Sequence, residues 1–345
     1  MIHLGLIAIC TALASAAWQE NMQPLVWQRM IDKRYSHSYG AMAPDGSRLA
    51  TGGGSFPGPG EWILWNPATG EKISVNREHR MAIWCLSFSP DGKLLATGGG
   101  GGEIRLWDAR TGKQLAELAG CRNYITSLVF SPDSKILVTA SHTSSKDIGG
   151  EDERTVHVWN VDKRKELLAF DPLTYGIYAL AFSPDGKVLA ISGGGVDNDI
   201  VLVDPATGRE NGRLSADKVS STLSLAFSPD GATLASGQGG DDRGTIRLWD
   251  WKQGKVKTTL KGHKSSVVQL IYFRDGRRLA SSSLDRTARL WDVVAEKELA
   301  SVSCEKENDI RGLALSPDET LLATCCNRVL RVWDVKKLLQ NGGQN

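Results

Sequence analysis

The 345-residue chain is 41% hydrophobic and 23% charged, with a formal net charge of +2, 37 glycines and 11 tryptophans. That balance describes an ordinary globular chain and leaves no basic excess for gripping nucleic acid or an anionic membrane surface. The glycine and tryptophan counts point to many tight turns and to an aromatic core position that recurs.

In chain order, residues 4–14 form an apolar run, followed by the small-x-small triplet Ala14-Ser15-Ala16. This is the form of a secretory signal and its cleavage site. Residues 1–16 are therefore expected to be a signal peptide, although the n-region holds His3 and no Lys or Arg. The run falls short of the roughly 20 apolar residues that span a bilayer, so no membrane span is expected. With the signal the protein is periplasmic or secreted; without it, cytoplasmic. Within residues 17–37, the stretch PLVWQRM at 24–30 has the composition of a strand but no neighbour to pair with.

From residue 38 the sequence repeats. A first signature runs AMAPDGSRLATGGG from Ala41, SFSPDGKLLATGGG from Ser87, and VFSPDSKILVTAS from Val129. It continues as AFSPDGKVLAISGG from Ala181, AFSPDGATLASGQG from Ala226, IYFRDGRRLASSS from Ile271, and ALSPDETLLATCC from Ala314. Its aspartate falls at 45, 91, 133, 185, 230, 275 and 318. A second signature, of the type IRLWDARTGK, follows each copy. Repeats of this length mark solenoids or propellers.

Each copy decodes into four short strands, a to d. Residues 83–88 are a β-rich strand a. Ser-Pro-Asp-Gly then reverses the chain: Pro presets φ, Asp bonds the local backbone, and Gly accepts positive φ. Residues 94–97 form strand b. In strand c, Ile104, Leu106 and Asp108 alternate with Arg105 and Trp107. Residues 114–118 form strand d. A sheet this small cannot bury both faces alone, so seven such sheets must stack around an axis. The expected fold is all-β, a seven-bladed propeller of four-stranded antiparallel blades over residues 38–338, with a tail at 339–345.

The last copy ends near Val335 without an obvious fourth strand. The segment 24–30 is expected to supply it and close the ring, the alternative being Leu338-Leu339-Gln340. A ring closed within one chain is expected to be a monomer. Outside the signal, Cys85, Cys121, Cys304, Cys325 and Cys326 show no framework or zinc spacing. All five are read as free buried residues.

No catalytic constellation emerges. The sequence has no Gly-x-Ser-x-Gly, His-Glu-x-x-His, Walker or Cys-x-x-Cys motif. The glycine runs at 52 and 98 join strands rather than opening a helix, so they do not cradle phosphate. No cofactor, resident metal or enzymatic activity is expected. In an up-and-down blade the a–b and c–d turns share one face of the disc, and the b–c and d–a loops share the other. The b–c loops of blades 3, 4 and 5 are enlarged and acidic. They carry Asp147, Glu151, Asp152 and Glu153, then Asp197 and Asp199, then Asp241 and Asp242, against only Lys146, Arg154 and Arg243. Three readings stand: a recess for a cationic protein or peptide partner, a Ca²⁺ site at Asp197, Asp199, Asp241 or Asp242, or solvated loop residues. A separate alternative is an enzyme or small-ligand site at the channel mouth, near Tyr35, His37, Tyr124, Tyr175, Lys264 and Asp309.

The SPDG turns, LATGG strands and LWD endings resemble the WD40-repeat family, in its glycine-rich bacterial style, over about residues 38–338. The resemblance implies a hydrogen-bonded set in each blade: a d–a loop His, a strand-b Ser or Thr, a b–c loop Asp and the strand-c Trp. Only His263, Ser281, Asp285 and Trp291 carry it whole. The second repeat keeps His79, Thr97 and Trp107 but has glycines 98–102 where the Asp belongs, and Val203 replaces the Trp of the fourth. Cys121, Leu173, Lys218 and Lys306 stand where other repeats would have the His. By the same resemblance, Glu153 and Asp242 occupy the b–c turn position of Asp285. It also implies an interaction scaffold.

Overall fold

Asp91 shows why each signature folds where it does. The Ser89 hydroxyl donates to its carboxylate at 2.6 Å and the Lys93 N–H at 3.1 Å, while Gly92 takes a φ of +72°. The turn is thus held by its own side chains, and strands of alternating apolar residues follow on both sides. A computed structural model describes residues 24–31, 36–55, 58–119, 123–141, 155–173, 176–194, 199–215, 220–304 and 309–342, with backbone alone at 36–38.

The strands form seven four-stranded antiparallel sheets. Blade 2 is representative, with strands Ile83–Phe88, Leu94–Gly99, Ile104–Asp108 and Gln114–Leu118 hydrogen-bonded in that order. Strand b is buried along almost its whole length, because each of its faces meets a neighbouring blade. Strand d is the exposed outer edge.

The core is a set of layers between blades. Trp62 and Leu64 of blade 1 pack with Ile83, Leu95 and Trp107 of blade 2, and the two indoles meet edge to face with centroids 5.0 Å apart. No blade holds a core of its own, so each depends on its neighbours.

The ring closes through the N-terminal segment. Leu25–Met30 pairs antiparallel with Val329–Asp334, the last strand, from Leu25 opposite Trp333 to Met30 opposite Val329. The Trp27 indole donates to the Pro67 carbonyl of blade 1 at 2.8 Å. Arg29 adds bonds to the carbonyls of Gly70 and Thr69, each at 3.0 Å. Leu338 and its neighbours form no strand; they lie in a helix, Val335–Asn341, capped by Asp334. That helix buries Leu338 in the layer between blades 6 and 7.

On the turn face, the turns are stitched to one another. Gly46 faces Pro317 of the preceding blade, as Gly186 faces Pro132 and Gly231 faces Pro184. Where the glycine is missing, its replacement bonds across the same gap. Ser134, at φ +64°, accepts from the Asp91 N–H at 3.0 Å. Glu319, at φ +60°, accepts from the Arg274 N–H and from Arg278 at 2.8 Å.

The cysteine expectation needs correction. Cys304 and Cys326 are joined in a disulfide between the end of the outer strand of blade 6 and strand b of blade 7. Cys325 and Cys326 point to opposite faces of their strand, so only Cys326 can reach Cys304. Cys85 and Cys325 are free and buried; burial pushes the Cys325 thiol up to about 12. Cys121 lies outside the described residues.

Candidate functional site

The polar chain of blade 6 is built as the resemblance implies. The Trp291 indole donates to Ser281 Oγ at 2.8 Å, Ser281 meets His263 Nε2 at 2.7 Å, and His263 Nδ1 meets Asp285 at 2.9 Å. The bonds run unbroken from indole to carboxylate, and Thr287 Oγ1 also lies 3.0 Å from His263 Nδ1.

Blade 2 has the same chain, which the glycines had hidden. Trp107 donates to Thr97 at 2.8 Å, Thr97 meets His79 at 2.7 Å, and His79 Nδ1 meets Glu103 at 3.1 Å. Glu103 replaces the missing aspartate from beyond the glycine run, its longer side chain spanning the extra distance. In blade 5 the amide of Gln238 takes the imidazole's place, donating to Ser236 at 2.7 Å, which accepts the Trp249 indole at 2.8 Å. The Trp-to-hydroxyl bond is kept in blades 1, 3 and 7, by Trp65 and Thr51, Trp159 and Thr139, and Trp333 and Thr324.

Blade 4 has exchanged three members of the set. Ile191 stands in register for the hydroxyl and Val203 for the indole, paired through Leu189 opposite Val203, with Leu173 at the imidazole's place. Replacing the hydroxyl, the indole and the imidazole together by apolar groups leaves none of their donors orphaned. Either Ile191→Thr or Val203→Trp alone is expected to cost about 1–3 kcal/mol. Together they should cost less than the two added, as a double-mutant cycle in urea would show.

The blade 2 set makes stability depend on pH. Burial would raise the Glu103 carboxyl, but hydrogen bonds from His79 and Arg80 outweigh it and bring it down to about 2. Burial also holds His79 below its usual value, against the pull of Glu103. A carboxylate depressed in the fold stabilises it above its unfolded value and loses that contribution as pH falls toward 2. A histidine depressed in the fold begins to favour unfolding below its unfolded value, about 6.5. Both effects weaken the protein on acidification. Glu103→Gln should cost about 1–3 kcal/mol at pH 7 and flatten the decline between pH 4.5 and 2. An unchanged acid limb in urea titrations would contradict this assignment.

Of the acidic loop residues, Asp147, Glu151, Asp152, Glu153 and Asp197 lie outside the described residues. Asp199 is paired with Arg213 at 3.5 Å. Asp242 is paired with Arg247 at 2.5 Å. Asp241 is exposed, in the same short 3-10 turn as Asp242, Gly240–Asp242.

The loop face also holds a concavity. Strand a carries an extra residue at one position in six blades. Ile83 opposes Gly99 and Cys85 opposes Gly98, leaving Trp84 bulged, and the same shift falls at Thr126, Tyr178, Leu223 and Val268. In blade 1 it falls at residue 38. A bulge re-aims its side chain, here toward the axis. With Tyr124, Leu284 and Arg311 these five bulged side chains line a cavity of about 700 Å³. Alternation alone does not predict this ring, because each bulge breaks the period. Deeper in the wall, burial pushes Tyr39 up to about 12. Of the channel-mouth candidates, Tyr124 lines the cavity, Asp309 pairs with Arg311 at 3.4 Å, and Lys264 binds Asp285 through its backbone at 2.8 Å. Tyr35, Tyr175 and the His37 side chain lie outside the described residues.

Among the described residues, no group of three or more His, Cys, Asp or Glu could hold a metal ion. No described helix is long and apolar enough to cross a membrane. The family model described as "WD domain, G-beta repeat" matches residues 70–108, 112–160, 168–204, 212–250, 254–292 and 296–334. Each match runs from the outer strand of one blade to strand c of the next. A "Serine-threonine kinase receptor-associated protein" of Dictyostelium discoideum is 36% identical over 66 residues, 19% of this chain and 21% of that protein. The match thus spans about a fifth of that relative's length.

Proposed function

The chain belongs to the WD40-repeat family of β-propellers, and from that premise we propose a non-catalytic platform that binds a protein or peptide on its b–c and d–a loop face. Propellers of this family are typically scaffolds, and the relative's printed name describes a receptor-associated protein. The observation that carries the choice of face is the asymmetry of the disc. Turn-face groups are bonded to one another around the ring, as Ser134 is to Asp91 and Glu319 to Arg278. The loop face holds the cavity and the enlarged loops, and loops on a rigid scaffold are where binding usually sits.

In this reading the acidic sector of blades 3 to 5 attracts a cationic partner. Asp147, Glu151, Asp152, Glu153, Asp197, Asp199, Asp241 and Asp242 set its charge, with Asp241 the most available of the described three. The Cys304–Cys326 disulfide supports an oxidising compartment and hence export.

The test is site-specific photo-crosslinking in the native compartment, with a benzophenone amino acid at Asp241 on the loop face and at Lys187 on the turn face. A partner crosslinked from position 241 and lost on reversing Asp197, Asp199 and Asp242 to lysine supports the reading. Crosslinking from Lys187 alone, or binding retained after charge reversal, argues against the face or the sector respectively.

A further inference from the structure

The wall of the channel cavity is chemically divided. Blades 1 to 4 contribute the rings of Tyr39, Trp84, Tyr124 and Tyr178, blades 5 and 6 contribute aliphatic groups beside Ser224 and Gln269, and Arg311 is the only charged residue among the described lining. Trp84 and Tyr124 meet edge to face with centroids 6.1 Å apart. Tyr178 lies over Gly194, where a Cβ would come within 2.7 Å of its ring, so the b–c loop of blade 4 has left it room.

Several polar groups of the wall already have partners. Thr126 donates to the Ile177 carbonyl at 2.6 Å, Ser224 to that of Val267 at 3.1 Å, and Gln269 bonds both backbone groups of Leu313. One side chain keeps donor capacity toward the cavity. The Arg311 guanidinium has five N–H donors and, among the described residues, one ion pair, to Asp309 at 3.4 Å with both side chains substantially exposed. Such a pair is weak and leaves the planar fork open to a bidentate acceptor.

We propose that this cavity binds a small molecule with an aromatic or aliphatic body and a single carboxylate. The body lies against the aromatic side and the carboxylate on Arg311. The volume falls within the range of about 300–1,000 Å³ that encloses such molecules. A cation would meet Arg311 with no carboxylate among the described lining residues to offset it. A polyanion would find one cation among the described lining residues. The site opens on the same face but is distinct from the acidic sector, since none of the described carboxylates of that sector lines it.

Calorimetric titration of the intact protein with indole-3-acetate and 4-phenylbutyrate, each against its amide, tests the proposal. One saturable site is expected, with the acids bound roughly tenfold or more tighter than the amides. Arg311→Gln should abolish that preference and Arg311→Lys restore part of it. Trp84→Leu, which removes the ring, and Tyr178→Ala should each weaken acids and amides alike. Circular dichroism confirms that each variant is folded. Failure of all four probes to saturate the native protein overturns the proposal. So do amides binding as tightly as acids, or an unchanged acid preference in folded Arg311→Gln.

Discussion

Replacing Trp27 by alanine is expected to lower the unfolding free energy by about 3–5 kcal/mol, the range for a large aromatic removed from a packed layer. Trp27 is 8% exposed and sits in the layer that joins blade 7 to blade 1, with Ile63, Trp65 and Leu330. Its indole donates to Pro67, and its ring covers Gly70, where a Cβ would stand 2.8 Å from the indole. Gly70 also has φ +69°, so Gly70→Val should disturb the same contact from the opposite side. Urea unfolding measures the loss. Native-state hydrogen exchange locates it, with protection falling first along Leu25–Met30. A Trp27→Ala protein of unchanged stability would mean that the ring is held shut elsewhere.

Removing the disulfide, by Cys304→Ser with Cys326→Ser, is expected to cost about 3 kcal/mol. That is the chain-entropy value for a closed loop of this size, the two cysteines being 22 residues apart. Dithiothreitol should bring the native protein to the stability of the double variant and leave that variant unchanged. Cys85 and Cys325 provide an internal control: buried, with thiol pKa values raised by that burial, they should resist iodoacetamide until the protein unfolds. Equal stability of oxidised and reduced native protein would remove the bridge from the account of this fold.

The propeller was legible because its determinants are local and repeated. Pro44, Asp45 and Gly46 specify a turn on their own, and the six later copies keep its aspartate, with Arg274 in place of the Pro once and Ser134 and Glu319 in place of the Gly. The closing strand was legible by subtraction, since the last blade lacked a partner and residues 24–30 lacked a sheet. Glu103 was not legible, because a position-by-position match looks for aspartate within residues 98–102 while the chain supplies a longer acid beyond them. Gln238 escaped for a related reason: it replaces an imidazole from a different strand. The disulfide follows no spacing rule, since Cys304 and Cys326 are brought together only by adjacent blades. The cavity ring depended on bulges such as that at Trp84, which no strand period reports. The acidic sector was legible as charge. The structure adds that Asp199 and Asp242 are each held by an arginine.

The closing ladder has a mechanical consequence. Leu25 lies opposite Trp333 and Met30 opposite Val329, so the chain enters one strand and leaves the other at the same end. Tension applied across these two points first pulls the helix Val335–Asn341 from its seat. It then loads the ladder one hydrogen bond at a time, as a zipper opens, rather than shearing all of its bonds together. A disc held by seven packed layers should therefore yield to a small force at one seam, and single-molecule pulling should find blade 7 opening before the other six.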